Sequence, residues 1–215
     1  MIVVVGRPSL EWPPPGAPPG RERPTVGGRA SRVALAAAKV GATVQIVGSV
    51  GDDEEGDTVA IQLGRAGVGH AALLRDPAGR TLRSPDRDPR PPRLDARDVA
   101  LGLSYFADFR VLVLAEPLES EAERAALEAA AYQGAAVIAI VPAPGPDAGS
   151  GESGTAGPNA AALTEAATVL EAPEEDGSRF AELVASYAVA LDKGTAPAEA
   201  FQAAVRSTGW DASEG

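Results

Sequence analysis

"VGGRASRVALAAAKVGATVQIVGSVGDDEEGDTVAIQLGRAGV", residues 26–68, decides the fold. Gly27 and Gly28 open a turn, and behind them Val33, Ala36, Ala37 and Val40 recur on one helical face until Gly41 ends the run as a C-cap. "TVQIV" (43–47) is short, β-branched and apolar, which predicts a buried strand. The acidic turn "GDDEEGD" (51–57) leads into a second helix over 55–66, carried by Val59, Leu63 and Ala66 and closed by Gly67. Several carboxylates so close together could hold a metal. Turn formation and favourable charge at a helix N-terminus explain them without one, and no metal site is assigned.

Working outward, the same alternation continues. "IVVV" (2–5), "ALLR" (72–75), "VLVLA" (111–115) and "AVIAIV" (136–141) are further aliphatic runs, continuous rather than alternating. Strands covered on both faces of a parallel sheet have that composition. Segment 119–132 places Ala122, Ala125, Ala126 and Ala129 on one face, with Glu119, Glu121 and Glu123 near its start and Gly134 after it. The expected architecture is an α/β three-layer sandwich around a mostly parallel sheet. Three stretches are too rich in Pro or Gly for regular structure: about 8–26, which holds seven prolines in "PSLEWPPPGAPPGRERP", about 84–93, and 142–158. They are expected as irregular loops of a single domain spanning 1–215. The Arg/Asp mixture of 75–98 is expected to be a solvated loop.

A net charge of −11 opposes binding to a nucleic-acid backbone, which needs a basic stripe to release its counterions. Cysteine is absent, so disulfides, thiolate zinc sites and cysteine nucleophiles are excluded together. "MIVVVG" is too short for the apolar region of a signal peptide or a membrane span and is expected as a first strand in a cytoplasmic protein. The only histidine, His70, follows Gly69 at a strand start and is expected to be structural. No P-loop occurs, and "GSGESG" (149–154) is no nucleophile elbow. Trp12 and Trp210 are each open to two readings, exposed contact or core plug.

Residues 26–68 resemble the ribokinase-like (PfkB) carbohydrate kinases, whose glycine turn, Ala-rich helix, strand, "VGDDxxG" turn and helix ending in "GV" come in this order. "DFRVLVLAEPLE" (108–119) is similar to that family's strand ending in an acidic residue and Pro, and "AAYQGAAVIAIVPAP" (130–144) to its next helix, strand and loop. "DGSRFAELVASYAVALDKGTAPAEAFQAA" (176–204) is similar to its closing signature and last two helices. The resemblance implies a ribokinase-like fold, phosphoryl transfer from ATP with Mg²⁺ to a sugar or nucleoside hydroxyl, and a "GAGD" motif that supplies both an anion hole and an aspartate base.

Departures from the pattern fall at the chemistry. Aligning Phe180 with the aromatic after the motif leaves Gly177 in the anion hole, Glu175 and Asp176 at small-residue positions, and Ser178 at the base position. A serine hydroxyl is a poor proton acceptor near neutrality, and loss of a positioned base lowers a rate by about 10²–10⁴. Ser178 reads instead as a helix N-cap; Asp176 is the weaker candidate for a base. At the substrate end, Glu11 stands near the family's sugar-binding Asp, Gly27 and Gly28 persist, and Arg32 replaces an Asn. The lid is expected to be reduced or absent, with lid-mediated dimerisation lost. The segments of the nucleotide site are also shortened. These departures predict a degenerate, non-catalytic homologue without cofactor, with a small-molecule or protein partner and no membrane. The alternative is an active, divergent kinase that uses ATP and Mg²⁺.

Overall fold

The computed structural model describes residues 1–13, 23–84, 90–143, 163, 165–173 and 177–210. In chain order the elements are β1 (Ile2–Val5), β2 (Ser9–Glu11), β3 (Thr25–Gly27), α1 (Arg29–Lys39), β4 (Val44–Gly51), α2 (Glu54–Arg65), β5 (Gly69–Asp76), β6 (Leu82–Ser84), α3 (Ala96–Ser104), β7 (Val111–Leu114), α4 (Ser120–Gln133), β8 (Ala136–Pro142), β9 (Thr168–Ala172), α5 (Gly177–Asp192) and α6 (Pro197–Thr208). Six strands form one sheet in the order β5-β4-β1-β7-β8-β9, with every pair parallel. β1 is central, with Val3 level with Gln45 on one side and Leu112 on the other.

Alternate residues of these strands feed two cores, as the pleat requires. Ile2, Val4, Ile46, Val113 and Ile138 pack under α1, α2, α5 and α6. Val3, Val5, Leu112 and Leu114 pack on the other face under α3 and α4. The sheet is therefore the middle of three layers, and its strands are apolar on consecutive residues because neither face meets water. Losing one such side chain to Ala removes about 2–5 kcal/mol.

The chain runs outward through β4 and β5, then returns across β1 to build β7, β8 and β9. Strand order thus reverses between β1 and β7, and open α/β sheets take ligands outside the carboxyl ends of such a reversal. The second sheet, β3-β2-β6, has strands of three residues each. The Gln62 side chain of α2 fastens β3, accepting from the Val26 N–H at 2.8 Å and donating to the Pro24 carbonyl oxygen at 3.0 Å.

Several expectations need correction. Residues 9–11 and 25–27 are strands rather than parts of an irregular loop over 8–26, because Ser9–Glu11 precede the proline cluster and find a partner in Thr25–Gly27 behind it. The 75–98 segment is not all solvated loop: it contains β6 and the start of α3. That helix carries a capping box, in which the Asp95 side chain accepts from the Asp98 N–H at 3.0 Å and Asp98 accepts from the Asp95 N–H at 3.1 Å. Its Val99 and Leu103 are buried. β9 adds a sixth parallel strand that was not among the strands expected from the sequence. The glycine stops were read correctly: Gly41, Gly67 and Gly134 all have positive φ just beyond their helices.

Candidate functional site

Four substrate-end candidates meet in one place. Gly28 (φ 80°) turns the chain from β3 into α1, a conformation that favours glycine, and it offers no side chain to cap the helix. Glu11 of β2 supplies the missing acceptor: its Oε1 receives the Gly28 N–H at 3.3 Å and Nη2 of Arg32 at 2.5 Å. A side chain at Gly27 would collide with Glu11. The two charged side chains are about one-third exposed, at 35% for Arg32 and 30% for Glu11.

The fifth candidate comes from the far end of the chain. A Cβ on Gly177, the first residue of α5, would strike Nη1 of Arg32. Arg29, Arg32, Ala172, Pro173, Gly177 and Phe180 line a pocket of about 150 Å³. It is bounded by the first turns of α1 and α5 and by the carboxyl end of β9. Two helix N-termini and two guanidinium groups therefore converge on one small volume, and its described lining holds no carboxylate. Such an arrangement favours an anion. A larger cavity of about 470 Å³, at the starts of α3 and α4, is lined by Asp95, Glu119 and Glu121 against one arginine, Arg97, and does not favour one.

Ser178 is exposed and is the second residue of α5, one turn-position inside the helix rather than the N-cap expected of it. Asp176, with Glu175, lies outside the described residues. Trp210 packs on Phe180 with ring centroids 5.7 Å apart, so it is a packing residue, while the half-exposed Trp12 carries the Arg83 guanidinium 5.9 Å above its ring. His70 sits in β5 with its ring against Gly64 and Nδ1 donating to the Val68 carbonyl oxygen at 3.2 Å.

The "GDDEEGD" turn serves the fold. Asp53 caps α2 by accepting the Gly56 N–H at 2.8 Å, and it also accepts the Thr81 N–H at 2.9 Å and hydroxyl at 2.5 Å. Burial alone would raise its pKa, but these bonds and the Arg75 charge hold the carboxyl below the ordinary value. Among the described residues no group of three or more His, Asp or Glu side chains is arranged to hold a metal, and no helix is long and apolar enough to cross a membrane.

The sequence reading gave no role to two residues at the strand reversal. Arg7, just after β1, donates from Nη1 to Oε1 of Glu116 at 2.6 Å and from Nε to the Pro92 carbonyl oxygen at 2.7 Å. Glu116 follows β7 by two residues. Burial pushes its carboxyl above the ordinary value despite the neighbouring Arg7 and Arg29 charges. The available signal was a charged residue within two positions of the end of each of two wholly buried strands.

Comparison with known proteins accords with this geometry. Residues 8–83 match the pfkB family carbohydrate kinase model. None of the curated proteins matches the chain in sequence. Among solved structures, a candidate ribokinase II from E. coli, in complex with ATP and Mg²⁺, superposes with a TM-score of 0.63 at 15% identity, covering 94% of this chain and 89% of that one. A candidate ribokinase from Agrobacterium tumefaciens gives 0.61 at 14%, covering 96% and 89%. Aminoimidazole riboside kinase from Salmonella enterica, complexed with aminoimidazole riboside and an ATP analog, gives 0.52 at 20%, covering 65% and 49%. These likenesses define a ribokinase-like α/β sandwich. The family match covers residues 8–83, about a third of the chain, and the superpositions show the ribokinase-like fold.

Proposed function

We propose that this chain is a non-catalytic member of its family that binds a small phosphate-bearing molecule. One observation carries the reading: Arg29, Arg32 and the first turn of α5 face one pocket whose described lining contains no carboxylate. A phosphoryl-transfer site needs a base to take the hydroxyl proton, and serine at the base position supplies none. A binding site needs only fixed positive charge, which two guanidinium groups and two helix N-termini provide. Glu11 is ion-paired to Arg32 instead of being left open to sugar hydroxyls. No bound cofactor is required for this role.

Isothermal titration with inorganic phosphate and with ribose 5-phosphate tests the reading. Wild type is expected to bind both, and an Arg29→Ala/Arg32→Ala variant neither. The ATP–Mg²⁺ complex of the E. coli relative favours a second reading, an active kinase of a sugar or nucleoside in which Asp176 would be the base. Under it, ATP with MgCl₂ would stabilise the protein by about 2.7 kcal/mol at a hundredfold excess over its dissociation constant. A panel of sugars and nucleosides would then yield a phosphorylated product. Such turnover would replace the non-catalytic reading.

A further inference from the structure

The crevice outside β1 and β7 is the place at which a sheet with this strand order takes its ligand. Here it is filled by residues of the chain itself. Arg7 reaches across from the end of β1 to Glu116 beyond β7, with the side-chain bond at 2.6 Å and its own backbone N–H donating to the same Glu116 oxygen at 3.2 Å. The Nε bond to the Pro92 carbonyl oxygen, at 2.7 Å, draws the segment before α3 over the same spot. The Arg7 and Glu116 side chains are only 21% and 24% exposed. Beneath them lie Gly6, which is buried, and Ala115, which is 0% exposed; a Cβ built on Gly6 would stand 3.4 Å from the Ala115 Cβ and 3.6 Å from Cγ of Glu116.

An arginine waiting for a ligand keeps donors of its fork turned toward the solvent-filled site. Arg7 instead directs Nε and Nη1 to acceptors on two separate segments of its own chain. Glu116, in turn, gives one oxygen to two donors of the same residue. We propose that the Arg7–Glu116 pair is an internal plug that closes the strand-end crevice. The pair lies between β1 and β7 and the phosphate pocket between α1 and α5; Arg29 lines the pocket and its charge also reaches Glu116, so the test below reads access to the crevice and not phosphate binding.

The absence of cysteine makes the test clean. Single cysteines are introduced by Ala115→Cys, beneath the pair, and by Ala126→Cys, buried in α4 on the other side of the sheet from α5. Their labelling by a soluble aromatic disulfide is followed in wild type and in an Arg7→Ser/Glu116→Ser background, which removes both charges together. In wild type both thiols are expected to react slowly, through global opening. In the double variant the thiol at 115 should accelerate at least about tenfold relative to the thiol at 126. Equal acceleration of both would show that the pair only stabilises the fold and would overturn the plug. No acceleration of either would overturn it as well, because the crevice would then be closed without the pair. Hydrogen exchange of the Ala115 amide, which donates to the Val5 carbonyl oxygen at 2.9 Å, repeats the comparison without any cysteine.

Discussion

The guanidinium of Arg32 in α1 occupies the space into which a side chain at residue 177 of α5 would project. The obstructing atom is the far end of a flexible side chain, so Gly177→Ala will displace the arginine rather than the helix. Residue 177 is the first of its helix, so alanine gains little over glycine there in helix propensity. The variant is therefore expected to melt near the wild-type temperature while its phosphate affinity falls at least about fivefold. Unchanged affinity in a well-folded variant would remove Arg32 from the pocket.

A bound anion would compete with Glu11 for the same guanidinium. Glu11→Gln keeps an acceptor for the Gly28 N–H but discharges the partner of Arg32. Phosphate affinity is expected to rise about threefold to tenfold, since a charge-assisted bond is roughly twice as strong as a neutral one. Calorimetry on this variant beside Arg32→Ala, where affinity should fall, gives two opposite signs from two halves of one ion pair.

Asp53 links stability to acid. Its folded pKa lies below its unfolded value, so it contributes stability that is fully present above the unfolded pKa, near 3.9, and lost as pH falls through the lowered folded value. Asp53→Asn should cost about 1–2 kcal/mol at neutral pH, with the difference from wild type shrinking toward pH 2. Urea melts across that range measure it, and a difference that stays constant would mean that the charge is irrelevant to the cap.

Glu116 has the opposite sign. Its folded pKa is raised, so between the ordinary value and the raised one the native state keeps a proton that the unfolded chain has lost. Its contribution is greatest in acid and declines as pH rises through that window. Carbon-detected magnetic resonance of the Glu116 carboxyl should find it titrating above the ordinary glutamate value, and Glu116→Gln should remove the corresponding decline in stability. Titration at or below the ordinary glutamate value would contradict the buried setting of the pair.

Leu103 tests the helix that composition concealed. It is 3% exposed in the core between α3, α4 and the sheet, and Leu103→Ala should cost about 2–5 kcal/mol in a denaturant melt. A surface loop at this position would lose almost nothing.

What could be read from the sequence followed the strength of local signals. The strand–helix order of 26–68 was legible because apolar spacing and glycine stops agree there at every step. α3 was not, because "DARDVALGL" hides two apolar anchors behind the Asp and Arg that cap and flank the helix. β2, β3 and β6 are three residues each, too short for any periodicity, and exist only by pairing with one another. Glu11, Gly27, Gly28, Arg32 and Gly177 were named from resemblance, and the fold brings them together. Their mutual geometry was hidden: an ion pair across a turn, and a guanidinium over a glycine 145 positions away, are facts of the packing of α1 on α5.

The arginine pocket belongs to a molecule whose net charge is −11. An approaching phosphate is repelled by the protein as a whole and attracted only within reach of the two guanidinium groups. Ionic strength therefore acts oppositely on arrival and residence. Screening over about 10 Å at 0.1 M salt eases the encounter, while the same ions loosen the ligand once it is held. If the pocket binds phosphate as proposed, capture would be slow in dilute buffer and would quicken with salt, a kinetic filter weighing most heavily against the most highly charged ligands.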